Sequence, residues 1–331
     1  LHLRGNAFRA SLSIAQADLS SAELTRRSSR NRLAYEAAEL FYAIQQLAYS
    51  RSLVEARLTN AADRLRTVEQ ERELGIHTVS VLLQAQLAKE KARLDLFDAE
   101  NALSDAVARF TSAYGIEEGR MPAERVEALP LAIDEQSAAG ETAVDDNPDI
   151  ARLRLAARNA AHAVTIHENE RAPSLSLGAE LSISDRSEES EPNRRTAVQG
   201  SLLFSAPLYD GGSRRSRRRE LEHAAEQARL ELAETRRSIA VELAAAVREL
   251  ERNRRYREYL EIAQAVAAYE FDKGQKDREL GAITEQELQE LELELESTRL
   301  EAAEAVVGDN LLRLRILQLQ GKDIIRSVAA L

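Results

Sequence analysis

The chain has 331 residues, no cysteine, only 4% aromatic residues and 31% charged ones. That is the profile of long helices packed side by side, and it excludes disulfides and thiolate chemistry. A net charge of −11 and a pI near 5.2 exclude wholesale binding to nucleic acid.

All six prolines lie outside residues 6–117 and 212–321, so both stretches are free to form unbroken helix. No run of about eighteen apolar residues occurs, and no helix is expected to cross a bilayer. No secretion signal precedes Leu1, which makes this a mature or trimmed form if the protein is exported.

Residues 1–117 read as a first helical hairpin. Leu33, Ala37, Phe41, Ile44 and Ala48 recur at steps of four and three, a heptad-like seam. Leu74-Gly75-Ile76-His77-Thr78 breaks it, a glycine followed by a capping threonine that stops one helix and starts the next. Residues 118–146, with Pro122, Pro130 and Gly140, read as a connector. In 147–172, Asn147 caps a short helix with Pro148 in its first turn, running to about Glu170.

Residues 173–208 change period. Leu175, Leu177, Ala179, Leu181 and Ile183 fall on one face of a strand, with Ser174, Ser176, Gly178, Glu180 and Ser182 on the other. Val198, Gly200, Leu202, Phe204, Ala206 and Leu208 repeat the pattern against Ala197, Gln199, Ser201, Leu203 and Ser205. Such alternation by itself first suits a half-buried strand over an ordinary core, and it also suits a transmembrane barrel, where lipid-facing and lumen-facing side chains alternate. Arg186 to Arg195 holds no apolar residue and reads as the loop between the arms.

Residues 209–323 form a second helical hairpin. Its seam runs through Leu221, Ala225, Ala228 and Leu232, then Ile239, Leu243, Ala246 and Leu250, and its break is Leu280-Gly281-Ala282-Ile283-Thr284. A tail, 324–331, follows. The two hairpins are copies: a shift of 206 places Gly5 on Gly211, Gly75 on Gly281, Thr78 on Thr284 and Gly115 on Gly321 without a gap. The helix from Gly212 to about Lys273 would be roughly 90 Å long at 1.5 Å per residue. Residues 148–170 and 284–320 together match that length, so one continuous and one composite column would form a helical wall.

With Asn147-Pro-Asp-Ile150, Ala206-Pro-Leu-Tyr-Asp-Gly-Gly212 and the tips Leu74-Gly75 to Gln86 and Leu280-Gly281 to Leu291, nearly the whole chain resembles the outer membrane efflux protein family, the TolC-like channels. The resemblance implies a mainly α fold: long antiparallel coiled-coil hairpins in two structural repeats forming a periplasmic α-barrel, continued by a transmembrane β-hairpin in the outer membrane. It implies a homotrimer joined to an inner-membrane pump through a periplasmic adaptor (membrane fusion protein). Family members carry two strand pairs per subunit. Here Leu1-His-Leu-Arg-Gly5 matches only the end of a second strand, so a counterpart of residues 147–206 and an export signal are expected upstream. Three chains of the present form would supply six strands, fewer than the roughly eight of small closed barrels.

Two sets of residues are candidate sites. Glu287 and Glu290, six and nine residues after the tip glycine, stand where these channels place an acidic constriction. A ring of such carboxylates would favour cations and raise the carboxylate pKa values. The first-copy equivalents Val81 and Gln84 are uncharged, and the run Glu292, Glu294, Glu296 offers a plainer reading as a solvated face. Leu74, Gly75, Leu280 and Gly281 are the expected adaptor contacts.

Ser213 to Arg219, rich in arginine, reads as lipid-phosphate contact or a solvated helix start rather than a nucleic-acid patch. His162 and His167 are five apart and do not share a helix face, so no metal site is expected. With no phosphate loop and no nucleophile elbow, neither a catalytic residue nor a cofactor is expected. The favoured function is a passive exit duct of a tripartite efflux or type I secretion system. The alternative is a soluble coiled-coil scaffold or periplasmic adaptor, which would not depend on detergent.

Overall fold

A computed structural model describes residues 5–115, 129, 141–169, 174–188, 191–205, 209 and 211–329. Its elements are α1 (Gly5–Glu73), α2 (Val79–Tyr114), a 3-10 turn (Glu141–Val144), α3 (Pro148–Asn169), β1 (Ser174–Glu188), β2 (Glu191–Ser205), α4 (Ser213–Glu279), α5 (Glu285–Leu319) and α6 (Ile324–Ala329). None of the helices is long and apolar enough to cross a membrane, among the described residues. The connector expected over 118–146 lies mostly outside those residues. Both long hairpins fold as the repeat requires, and Gly75, Gly115, Gly281 and Gly321 all take positive φ at matching helix ends. Helix α4 continues through Gly274 to Glu279, beyond the end expected near Lys273, because Gly274 fits against α5.

The chain forms two compact units, each drawing on both repeats: residues 1–28 with 144–239, and residues 29–143 with 240–331. In the first unit α3 lies between the opening turns of α1 and α4. Asn147 accepts a hydrogen bond from Asp149 N at 2.9 Å, which makes it the cap expected from the sequence, and Val144 and Ile150 are fully buried beside it. The α1 side is tied by Ser28 to Asp149 (3.1 Å) and by Ser13 to His162 (3.5 Å). The α4 side is tied by Asp145 to Arg236 (3.2 Å) and by Glu168 to Arg218 (3.1 Å). These pairs make α3 antiparallel to both neighbours.

In the second unit α1 and α5 lie in the middle, with α2 against α1 and α4 against α5. Leu65 and Val68 of α1 pack on Leu82 and Ala85 of α2. Tyr42 Oη accepts from buried Asn310 Nδ2 at 3.1 Å, and Tyr49 Oη donates to Glu296 at 2.9 Å, which join α1 to α5. Asn253 Nδ2 donates to Ala305 O at 2.8 Å, joining α4 to α5. Asn31, only 2% exposed, clasps the C-terminal segment by donating to Lys322 O (2.8 Å) and accepting from Ile324 N (3.3 Å). Ile324 then seals onto Leu314 and Leu317, so the residues expected as a tail begin with a docked helix.

The α4 seam is buried where it was expected, at Ala225, Leu243, Ala246 and Leu250, and it continues through Leu260 and Ala267. The α1 seam differs. Ile44 is buried and Ala37 and Phe41 are half-buried as expected, but Leu33 is 51% exposed and Ala48 is exposed, whereas Asn31, Tyr42, Leu53, Leu65 and Val68 are buried. The reason is geometric: α1 has helices on two sides, so its contacts spread over more than the single narrow stripe of a two-stranded coil.

Candidate functional site

The strand pair and the two helical tips are the parts of the molecule built for contact. β1 and β2 pair antiparallel in a register that sets Leu175 opposite Phe204, Leu177 opposite Leu202, Ala179 opposite Gly200 and Leu181 opposite Val198. Alternation then places all of these on one face of the ladder. Every side chain described in the pair is exposed, with Val198 at 77% and Leu202 at 70%. The opposite face carries Gly178, Glu180, Ser182, Ala197, Gln199, Ser201 and Leu203. A Cβ on Gly178 would stand 2.7 Å from Ser201 Oγ, so the glycine admits its cross-strand neighbour.

The polar stretch Arg186 to Arg195, expected as a loop, is instead mostly ladder: pairing runs to Ser187 with Pro192 and Glu188 with Glu191. Backbone hydrogen bonding needs no apolar side chains, so an established register continues past the apolar residues.

A two-stranded sheet is marginal in water, and this one leaves its apolar face and both edges without partners among the described residues. Burying an exposed Leu, Val or Phe side chain is worth roughly 1.5–3 kcal/mol. Leu177, Leu181, Val198, Leu202 and Phe204 together therefore supply on the order of 10 kcal/mol toward an apolar medium.

Both tips end their first helix the same way. At the first, Gly75 N donates to Arg72 O (2.9 Å) and Ile76 N to Glu71 O (2.9 Å); at the second, Gly281 N donates to Arg278 O (3.0 Å) and Ala282 N to Asp277 O (2.7 Å). This is the Schellman pattern, and glycine supplies its left-handed residue. Leu74 and Leu280 project from the turns, 76% and 81% exposed. Of the four expected adaptor contacts, the two leucines are thus presented outward and the two glycines shape the turn.

The restarts differ. Thr284 accepts from Glu287 N at 3.2 Å while Glu287 Oε2 accepts from Thr284 N at 2.7 Å, a reciprocal capping box. Thr78 occupies the same cap position but makes no side-chain cap hydrogen bond; its partner position holds Val81. The signal Thr-x-x-Glu was legible at 284–287 and went beyond the capping threonine alone. The tip cores also trade sizes. Gly274 lets Leu291 approach to 2.5 Å of where a Cβ would sit, and the equivalent pair in the first copy is Val68 against Ala85. The larger side chain has moved from one helix to the other with the joint volume kept similar.

Of the two gate candidates, Glu287 has its carboxylate turned back on its own helix start, and Glu290 sits 3.9 Å from Arg64 of α1, both exposed. Within the chain the Thr284 backbone N–H, and then its hydroxyl, hold Glu287 below the ordinary carboxylate value. At the first tip His77 Nε2 meets Glu71 at 2.8 Å. Among the described residues no group of His, Cys, Asp and Glu could hold a metal ion.

The Outer membrane efflux protein family matches residues 3–116 and 140–307 of this sequence, most of its length. The chain belongs to that family. It is an efflux channel of the outer membrane, and proteins of this class are transport ducts rather than enzymes. No match emerges by sequence among functionally curated proteins.

The fold is that of solved channels. It is similar to the outer membrane protein VceC from Vibrio cholerae (16% identity, 97% of this chain and 77% of that one, TM-score 0.74). It is also similar to the CmeC outer membrane channel from Campylobacter jejuni (12% identity, 98% and 70%, TM-score 0.75). A third is the MtrE outer membrane channel from Neisseria gonorrhoeae in its open state (15% identity, 96% and 72%, TM-score 0.69).

Replacing Thr284 by Ala removes a working cap and destabilises the start of α5 by about 1 kcal/mol. Thr78→Ala is close to neutral, and amide exchange at the two helix starts separates the variants. Because the Glu287 pKa is lowered from 4.5, the support it gives is complete above that value. It is lost as pH falls through the lower, folded value. Protection factors at Glu285 to Leu288, each referred to the intrinsic exchange rate at that pH, therefore fall on acidification, whereas Val79 to Leu82 shows no counterpart.

Proposed function

We propose that this channel is the exit duct of a tripartite efflux or type I secretion system. In this reading it is a homotrimer whose strand pairs enter the outer membrane and whose helices wall a passage through the periplasm. The observation that carries the reading is the register of β1 on β2, which gathers the apolar side chains on one exposed face. Fifteen paired residues per strand extend about 50 Å at 3.3–3.4 Å each. That exceeds the roughly 25 Å apolar band of an outer-membrane barrel, so the polar far end of the ladder stands clear of the lipid. A soluble scaffold would gain nothing from such a face.

Assembly into a ring is supported by two exposed apolar stripes at the flanks of the second unit. One runs along α2 through Val79, Leu83, Leu87, Leu94 and Phe97; the other runs along α4 through Tyr256, Tyr259, Ile262, Val266 and Tyr269. They lie on the two helices that are not in the middle of the unit. An α4 stripe of one copy against the α2 stripe of the next makes a head-to-tail contact that closes on itself. The MtrE channel has been seen in an open state. In this chain opening is assigned to the tips, where a periplasmic adaptor docks on Leu74 and Leu280 and Glu287 and Glu290 face the passage. An inner-membrane pump supplies the energy.

Three outcomes test this. Leu202→Arg, on the apolar face, prevents insertion into lipid vesicles, since a cation near the bilayer midplane costs about 2–4 kcal/mol. Gln199→Arg, on the other face, inserts normally, and equal behaviour of the two would sink the barrel reading. The pair Phe97→Cys and Ile262→Cys, at similar distances from their tips, oxidises to chain-to-chain dimers and trimers on a denaturing gel. Cross-links within single chains alone would exclude the proposed contact. In planar bilayers Glu287→Gln with Glu290→Gln lowers cation over anion selectivity, read as the reversal potential in a salt gradient. An unchanged potential removes both residues from the gate.

A further inference from the structure

At the foot of the strand pair lies a set of cations that the duct reading leaves unused. Residues 213–219 hold five arginines and no acid in a chain whose net charge is −11. Part of this charge is spent locally: Arg217 pairs with Glu220 at 2.6 Å, and Arg218 pairs with Glu222 at 2.7 Å and with Glu168 at 3.1 Å. Arg215 and Arg219 are different. Four residues apart, they share a helix face, both are exposed, and neither makes an ion pair among the described residues.

The first repeat carries a third such cation at the same level. Arg9 is exposed and falls on Arg215 under the 206 shift. Ser13 of α1 meets His162, and Arg214 O of α4 meets His167 Nε2 at 3.1 Å, so both helix starts lie beside the last turns of α3, the end that leads into β1. Between β2 and α4 stands Tyr209, 92% exposed, an aromatic of the kind that settles at a membrane–water boundary.

We propose that Arg9, Arg215 and Arg219 form a basic collar that binds the phosphate groups of anionic phospholipids in the leaflet where the strand pair enters the membrane. This rests on the membrane-inserted reading above. A guanidinium presents paired donors that match phosphate oxygens, and it stays charged throughout. Attraction of a basic residue to an anionic leaflet is worth about fivefold in affinity each, equivalent to ~1 kcal/mol. The collar thus sets the height at which the strands stop sliding into the bilayer, while the acidic remainder of the chain is repelled from the same surface.

The test is native mass spectrometry of the full-length, detergent-extracted protein, offered equal amounts of dioleoylphosphatidylglycerol and dioleoylphosphatidylcholine. The wild type retains phosphatidylglycerol in preference, and the triple variant R9Q/R215Q/R219Q loses that preference by about tenfold or more. As a control of matched chemistry, R252Q/R255Q removes exposed α4 arginines that pair with Glu249 and Glu251; it keeps the preference. Excess inorganic phosphate fails to displace the lipid, and displacement would reassign the collar to free phosphate.

A preference surviving in the triple variant overturns the proposal, as does equal loss in the control. So does a triple variant that falls apart into single chains while still selecting phosphatidylglycerol, which would make the collar a contact between copies. Conductance of the same preparations reports separately on the duct. A conducting channel without lipid preference sinks only the collar, and a wild type that neither conducts nor needs detergent sinks the duct reading itself.

Discussion

An antiparallel ladder can end in only two ways: its edges find partners, or they stay exposed to water. The β1–β2 ladder leaves its edges free and turns Leu177, Leu181, Val198, Leu202 and Phe204 outward together. No helix of this chain covers that face among the described residues, and a two-stranded sheet has no core of its own. Backbone groups in hydrocarbon need every hydrogen bond satisfied within protein, which for strands means closure into a barrel. On the proposed reading, insertion into lipid would therefore require further strands to close the ladder. On the same reading, the long helices are the frame that carries the ladder.

The frame is a duplicated hairpin whose copies have diverged where they matter. Both tips use the same glycine turn, with Gly75 and Gly281 in the left-handed region. Beyond it the first copy restarts on an unaided Thr78, and the second on a closed box of Thr284 and Glu287. The cores just behind the tips exchange large for small, Val68 and Ala85 against Gly274 and Leu291. Packing density constrains the sum of the volumes more than their assignment, so duplication leaves each tip free to change its surface chemistry. Only the second tip opens its returning helix with acids, and only there does a carboxylate also hold its own helix start.

Most of the architecture was legible in the sequence because it depends on local rules. Proline exclusion, the two glycine–threonine breaks, the Asn147-Pro148 start and the alternation in both strands each reflect an interaction within a few residues along the chain. The α1 seam was legible only in part, at Ile44: heptad spacing assumes one partner, and α1 has α2 on one side and α5 on the other, so Leu33 stays exposed while Asn31 is buried. The ladder through Arg186 to Arg195 was missed for the converse reason. Side-chain polarity marks what a strand faces, whereas pairing follows from a register set elsewhere.

The sequence by itself determined the elements, their doubling and the two faces of the strands, since periodicity and turn residues act through the chain's own nearest neighbours. Tertiary structure decided which neighbours α1 and α5 share, that Asn31 clasps the C-terminal segment, and that Arg218 at the foot of the strands is held by Glu168 of α3. These depend on which side chains from distant stretches arrive within hydrogen-bond reach. Such distances are set by helix packing in three dimensions and leave no period in the sequence to read.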